Sequence, residues 1–307
     1  MKIMTIPDGA TGSQVAILSG HTNHVRSLTF SSDGASLVSG GSDKTIKLWD
    51  VQTSGVIKTF HGHTSWVNSV SISADCTTIA SASHDKTIHL WDVQTGGCHC
   101  IIEQQEIVRY VMFSPTNSQY LISASGNEIY HWGIDGYQIN PPHDGSYAAF
   151  SLGGTQLVLC QGIDIVVQNS DSGVIVVRFH IFNWTPRYCC FSPDGRLIAV
   201  VSGKIISVWD ITCSDPHLTE TFIGHTHTIA SLVFPSTSSL ITLSHDDTIK
   251  FWQIITPPTD PSCRSPRAHS TCFNSNQICH STSKRWDFCL KWFGWDSEDL
   301  GSLNWLL

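Results

Sequence analysis

The 307-residue chain has little charge and little that reads as helix. Asp, Glu, Lys and Arg make up 14 % of it, and the short apolar runs show scarcely any helical periodicity. No run approaches the ~18 apolar residues of a membrane span. The opening residues Met1 to Gly9 hold no apolar stretch of the about seven that a secretory signal needs. The expectation is a cytoplasmic protein, with the nucleus also open and no membrane partner. Lys and Arg number 17 against 25 Asp and Glu, a net charge of −8. That argues against a phosphate-backbone binder built on clustered cations, though a local basic patch stays open, and no nucleic acid is expected. Gly40-Gly41 and Gly153-Gly154 fall at strand ends and turns rather than in a phosphate-cradling loop. Cys263, Cys272, Cys279 and Cys289 are 9, 7 and 10 apart, with His280 beside Cys279. Structural zinc wants ligand pairs two to four residues apart. No metal and no cofactor are therefore expected. The eleven cysteines are odd in number and irregularly spaced, which suits reduced, mostly buried thiols.

What the chain does have is a repeat. Gly20-His21 leads to Trp49-Asp50, Gly62-His63 leads to Trp91-Asp92, and Gly224-His225 leads to Trp252. The first two copies are 42 residues apart at both ends. Within the three copies His to Trp is 28, 28 and 27 residues, and Asp43, Asp85 and Asp246 each precede their Trp by 6. Between these landmarks, Val/Ile/Leu/Phe runs alternate with Ser-Asp-Gly-type turns, the pattern of short antiparallel strands. Strands are expected at 25–30, 36–40, 45–50 and 55–60, and again at 67–72, 78–81, 87–92 and 98–102.

The middle copies are degenerate but in phase. Repeat three runs 108–113, 120–124 and 128–132, lacks Gly-His, and has a second turn one residue short with Gly126 near the Asp slot. Repeat four runs 148–150, 156–160 and 165–168, with Gln168 in the Trp slot. Repeat five runs 197–201 and 205–210, keeps Trp209, and has Ala199 and Gly203 in the hydroxyl and Asp slots. Repeat six is complete.

A stride of ~40–45 residues opening on Gly-His and closing on Trp-Asp resembles the WD-repeat β-propeller family. The resemblance covers about residues 14–254. It implies an all-β fold, a single propeller over 1–307, each repeat giving three strands of one blade and the outer strand of the blade before. Six repeats are visible. Closure removes exposed sheet edges, so seven blades of four strands are expected. The seventh is irregular, closed by the tail 255–307 together with the strand 14–18; the alternative is six blades and a loose tail.

His21, Ser39, Asp43 and Trp49 recur as His63, Ser81, Asp85 and Trp91, and as His225, Thr242, Asp246 and Trp252. A carboxylate, imidazole, hydroxyl and indole N–H can form one closed hydrogen-bond chain. The competing reading is a hydrolase triad, since Ser83-His84-Asp85 and Ser244-His245-Asp246 spell one consecutively. Adjacent residues cannot present triad geometry to one another, and three copies of an active site are implausible. No catalytic residue is assigned. Blades three to five, lacking complete sets, are expected to depend on apolar packing and to be the less stable part of the ring.

Carried over by position, the resemblance implies a loop face lined by His24, Arg26 and Ser42; Trp66, Asn68 and His84; Ile107 and Arg109; Asp144 and Ser146; Thr185 and Arg187; and Thr228, Ala230 and His245. Trp and Arg are the types enriched at binding hot spots. Trp66 with Arg26, Arg109 and Arg187 would suit an acidic or phosphorylated peptide; the plainer reading is ordinary ion pairs and stacking. The expectation is a non-catalytic protein-interaction scaffold, a monomeric propeller within a complex. The alternatives are a substrate-receptor subunit of a ubiquitin ligase and a propeller hydrolase using the central channel. The former is weakened because Trp-Asp is followed by Val-Gln twice and Ile-Thr once, without the Arg that some such receptors carry. The latter lacks paired carboxylates.

Overall fold

A computed structural model describes residues 2–7, 14–181, 185–213, 215–246 and 248–255. The described residues form six consecutive antiparallel sheets, preceded by one two-stranded sheet. Blade one is Val25–Phe30, Ser36–Gly41, Thr45–Asp50 and Val56–His61, hydrogen-bonded in that order. Blade two is Val67–Ile72, Thr78–Ser83, Thr87–Asp92 and Cys98–Glu103; blade three is Val108–Phe113, Tyr120–Ser125, Glu128–Gly133 and Gln138–Asp144. Blade four is Tyr147–Phe150, Gln156–Gln161, Asp164–Asn169 and Ile175–His180; blade five is Tyr188–Phe191, Leu197–Ser202, Ile205–Asp210 and His217–Ile223. Blade six has three strands among the described residues, Ile229–Ser236, Ser239–Ser244 and Ile249–Gln253.

Within a blade the burial follows position. The second strand lies between two partners and between neighbouring blades; in blades two, three and five all six of its residues are buried. Such strands read as near-continuous Val/Ile/Leu/Ala/Ser runs rather than as alternation. The fourth strand is an edge and keeps Ile57, Ile101, Ile139 and Ile175 exposed.

The first strands of successive blades pack side by side, and here the 42-residue stride becomes a physical spacing. The first strand has a ladder partner on one side only, so its other backbone N–H groups need acceptors. In blades two and three, serine hydroxyls of the preceding blade supply acceptors. Val70 N–H donates to Ser27 Oγ at 3.1 Å, Val111 N–H to Ser69 Oγ at 3.3 Å, and Phe113 N–H to Ser71 Oγ at 3.0 Å. The partners are 42 or 43 residues apart.

Apolar cores lie between blades rather than within them. Val38, Ile46, Leu48 and Phe60 of blade one pack against Val67, Val70, Ile79 and Trp91 of blade two. The largest cluster runs without a break through blades three, four and five, from Tyr110 and Ile122 through Leu157 and Val166 to Phe191 and Val200. Leu243 of blade six packs against Leu18, Leu28, Leu37 and Trp49, so blade six returns to blade one with the strand Gln14–His21 at the seam.

That strand pairs with Lys2–Pro7, an antiparallel strand with no counterpart in the sequence reading, in register Met4 to Leu18 and Thr5 to Ile17. The described residues thus give an all-β propeller of six blades. The remaining part of the seventh-blade expectation, residues 256–307, lies outside them.

Candidate functional site

Three hydrogen-bonded chains stand at the repeat landmarks. In blade two, Trp91 Nε1–H donates to Ser81 Oγ at 2.8 Å; Ser81 and His63 Nε2 are 2.7 Å apart, and His63 Nδ1 and Asp85 Oδ2 2.9 Å apart. A serine that takes the indole proton gives its own to Nε2, which leaves the imidazole proton on Nδ1, facing the carboxylate. Blade one repeats this through Trp49, Ser39, His21 and Asp43 at 2.7, 2.7 and 2.8 Å. Blade six repeats it through Trp252, Thr242, His225 and Asp246 at 2.8, 2.8 and 2.9 Å. Each chain ties the second and third strands of its blade to the segment that enters it.

Two members of this arrangement were missed in the sequence. Thr45, Thr87 and Thr248 each donate a hydroxyl to the second oxygen of their Asp, two residues before them. The Asp-x-Thr spacing recurs in every complete copy and could have been read. The backbone N–H of Thr22, Thr64 and Thr226 adds a further donor at 2.8 Å. Burial alone pushes these carboxyls up, but the bonds from His, Thr hydroxyl and backbone N–H outweigh it and hold Asp43, Asp85 and Asp246 well below the usual carboxylate range. The glycine of Gly-His is explained by the tryptophan. A Cβ on Gly20, Gly62 or Gly224 would sit 2.9, 2.9 or 3.0 Å from Cη2 of Trp49, Trp91 or Trp252. The indole edge lies on the glycine Cα, and any side chain would displace it.

In the degenerate blades the Asp turn is replaced, not merely lost. Ser125 pairs with Glu128, Gln161 with Asp164 and Ser202 with Ile205, leaving two-residue hairpin turns. Gly126, Gly162 and Gly203 open these turns at φ of +59°, +61° and +63°. Glycine first in a two-residue loop is the composition of a type II′ turn. Blade three keeps Trp132 Nε1–H on Ser123 Oγ at 2.8 Å. In blade five Ala199 offers no acceptor, and Trp209 donates to Ser207 at 3.0 Å instead.

The three sets cannot act as hydrolytic triads. Ser39, Ser81 and Thr242 are fully buried, and each hydroxyl oxygen already takes an indole proton. A nucleophile must reach its substrate, and here the tryptophan stands in that place.

The loop face is organised by the same units. The N–H groups of Ser42, His84 and His245 donate to the carbonyls of His24, Trp66 and Thr228 at 2.7, 2.9 and 3.0 Å, setting paired loops side by side. The guanidinium of Arg26 lies 4.4 Å from the Trp66 ring centre, and His84 packs on Trp66 at 5.3 Å. Arg26 is held by Ser42 Oγ at 2.8 Å and reaches Asn68 Oδ1 at 3.5 Å. Trp66 nonetheless stays 41 % exposed. Asn68 is buried, its amide donating to Val108 O at 3.0 Å, so it joins blade one to blade three through blade two instead of lining the surface. Ala230 is buried as well. Arg109, Asp144, Thr185, Arg187 and Thr228 are exposed; Ile107, Ser146 and His245 are half-buried. Three expected face residues, Arg26, Trp66 and His84, thus come into one cluster. Arg109 and Arg187 stand on blades three and five.

The "WD domain, G-beta repeat" family matches residues 12–50, 54–92, 180–210 and 216–253. The unmatched middle, 93–179, holds two of the three turns in which glycine replaces the Asp, those at Gly126 and Gly162. The chain is 38 % identical over 110 residues to "COMPASS component SWD3" of Saccharomyces cerevisiae, covering 35 % of this chain and 34 % of that protein. It is 46 % identical over 43 residues to human "WD repeat-containing protein 18", 14 % of this chain and 10 % of that one. The chain thus matches about a third or less of the length of these relatives. Among solved structures, the β-propeller domain of Cps50 (Swd1) from Myceliophteria thermophila superposes with a TM-score of 0.66, covering 76 % of this chain and 84 % of that one. At 16 % identity that likeness is one of fold.

Proposed function

Because the chain belongs to the WD40-repeat β-propeller family, we propose that it is a non-catalytic interaction module whose loop face binds a protein partner around Trp66. The observation that carries this is the half-exposed indole, pre-ordered between Arg26 and His84. An aromatic anchor already held in place loses little entropy on binding, and Trp and Arg dominate interface energetics. Arg26 has spent part of its donor capacity on Ser42 and Asn68, so Arg109 and Arg187 are the arginines suited to an acidic or phosphorylated segment. One relative is named as a component of a complex; a subunit role within an assembly, in the nucleus or cytoplasm, follows the same reading.

The test is affinity purification with the wild-type chain and a Trp66→Ala, Arg109→Ala variant side by side. Loss of a central Trp with an Arg should weaken a specific partner by about 2 kcal/mol or more, some thirty-fold. The variant's melting temperature should stay near wild type, since both side chains are at the surface. Retention of every partner at wild-type level would overturn the reading.

A further inference from the structure

Cys160 and Cys189 meet in the middle of the largest apolar cluster. Cys160 lies on the second strand of blade four and Cys189 on the first strand of blade five; both are fully buried. Their sulfurs are 3.4 Å apart, the thiol of one pointing at the sulfur of the other. Both are free thiols in this structure. The surrounding side chains are apolar or aromatic: Tyr147, across the ladder from Cys160, stands edge-on to Tyr188 at 5.4 Å between ring centres. A disulfide has sulfurs about 2.05 Å apart, so closing the bond takes a little over an ångström of approach by two side chains already aimed at each other.

We propose that Cys160 and Cys189 are an oxidative modification site at which a small peroxide forms a disulfide joining blades four and five. One thiol is oxidised by hydrogen peroxide to a sulfenic acid with release of water. The second thiol then attacks that sulfur, the S–O bond breaks, and the oxygen leaves as a second water. Two thiols and one peroxide thus give one disulfide and two waters. The 3.4 Å approach of the two sulfurs singles out the pair, and their burial sets the reactant. Glutathione disulfide cannot reach either sulfur without opening the ring, whereas peroxide is little larger than water. Burial also pushes the Cys189 thiol well up, so thiolate is scarce and the reaction is slow and faster at higher pH.

The bond has a structural consequence. It would close a 29-residue loop across an interface where neither blade carries the His-Ser-Asp-Trp chain of blades one, two and six. Covalent closure acts there on the part of the ring that apolar packing holds. The proposal is independent of any partner on the loop face.

The experiment takes the reduced full-length chain with Cys76, Cys98, Cys100, Cys213, Cys263, Cys272, Cys279 and Cys289 changed to serine, so that Cys160, Cys189 and Cys190 are the thiols left, treats it with hydrogen peroxide, blocks residual thiols and maps peptides by mass spectrometry. The expected product is a crosslinked peptide joining Cys160 to Cys189. With it, the melting temperature rises by about 5 °C or more, reversed by reductant. Cys160→Ser, which keeps size and leaves a folded ring verifiable by its melt, should remove both the crosslink and the rise. Pairing through Cys190 instead, or oxidation of Cys160 and Cys189 to sulfinic acids without crosslinking, or a crosslink that leaves the melting temperature unchanged, would overturn the proposal.

Discussion

Trp91→Ala is expected to lower the free energy of unfolding by about 3–5 kcal/mol. The indole is 2 % exposed, meets Phe60 edge-on at 5.7 Å, and fills the cluster shared by blades one and two. Its removal leaves a cavity between blades and takes the donor from Ser81, whose oxygen is fully buried. Both losses fall on one site, which places the variant at the large end of core truncations. Trp209→Ala is the internal comparison. That indole is only partly buried and bonds Ser207 on its own strand, so the loss should be smaller by about 1 kcal/mol or more. Urea unfolding followed by far-ultraviolet circular dichroism measures both. Equal losses, or a loss below about 1 kcal/mol for Trp91→Ala, would mean that the recurrent tryptophan is not a packing anchor.

Acidification from pH 7 to 5 is expected to destabilise the protein before any carboxylate of the three chains titrates. His89 is buried with its ring stacked on His63 at 3.9 Å; burial first, and His63 second, depress it to about 4. His131 is buried against Tyr120, with His143 edge-on at 5.0 Å, and burial first, then His143, depress it to about 4. In the unfolded chain both take up a proton near pH 6.5, as unperturbed histidines do. Between about pH 6.5 and 4 the unfolded state therefore binds more protons, and stability rises with pH. The contribution is complete above about 6.5 and lost as pH falls towards 4, about 1–2 kcal/mol per histidine by pH 5. Asp43, Asp85 and Asp246 act in a lower window. Their folded carboxyls are held down, so their contribution stands above the ordinary carboxylate range and is lost only below it. Thermal melts at intervals from pH 7 to 5 should show a falling midpoint, and the His89→Gln, His131→Gln variant a flatter one. A flat profile for the wild type, or an unchanged slope for the variant, would contradict this.

Strand positions in blades one and two could be read closely from the chain, because each hairpin sets a fixed distance between landmarks: six residues from Asp to Trp is one turn plus one strand. The hydrogen-bonded chain was legible for the same reason. Its members are polar groups that recur together, and buried polar groups need partners. What escaped depends on neighbours one repeat away. Asn68 reads as a surface residue until Val108 and Arg26 are seen beside it, 40 and 42 residues off. Ser27, Ser69 and Ser71 read as ordinary strand serines until the stride is taken as the distance between blades. The turn exchange at Gly126, Gly162 and Gly203 was visible as one missing residue in repeat three, but its meaning is a left-handed φ. The strand Lys2–Pro7 carries no repeat landmark at all.

That the blades three to five share the largest apolar cluster gives the loss of their polar chains a physical context. Hydrogen bonds of this kind contribute about 1 kcal/mol each net, and burying one more Leu or Phe side chain contributes about 1.5–3 kcal/mol. A few added apolar contacts between neighbouring blades therefore offset an absent chain. What they do not replace is the direction of the loops, which in blades one, two and six the Asp turn sets. Trp66, Arg26 and His84 all lie beside such turns.

The central claim about this fold is that Asp, His, Ser and Trp act as one linked chain rather than as four separate contacts. A double-mutant cycle between Asp85→Ala and Trp91→Phe tests it. The two side chains are joined through His63 and Ser81, and the phenylalanine keeps a ring while deleting the indole N–H. Linked groups should give an interaction energy of about 1 kcal/mol, the double variant losing less than the sum of the singles. Additivity within about 0.3 kcal/mol would show four independent contacts and contradict the claim.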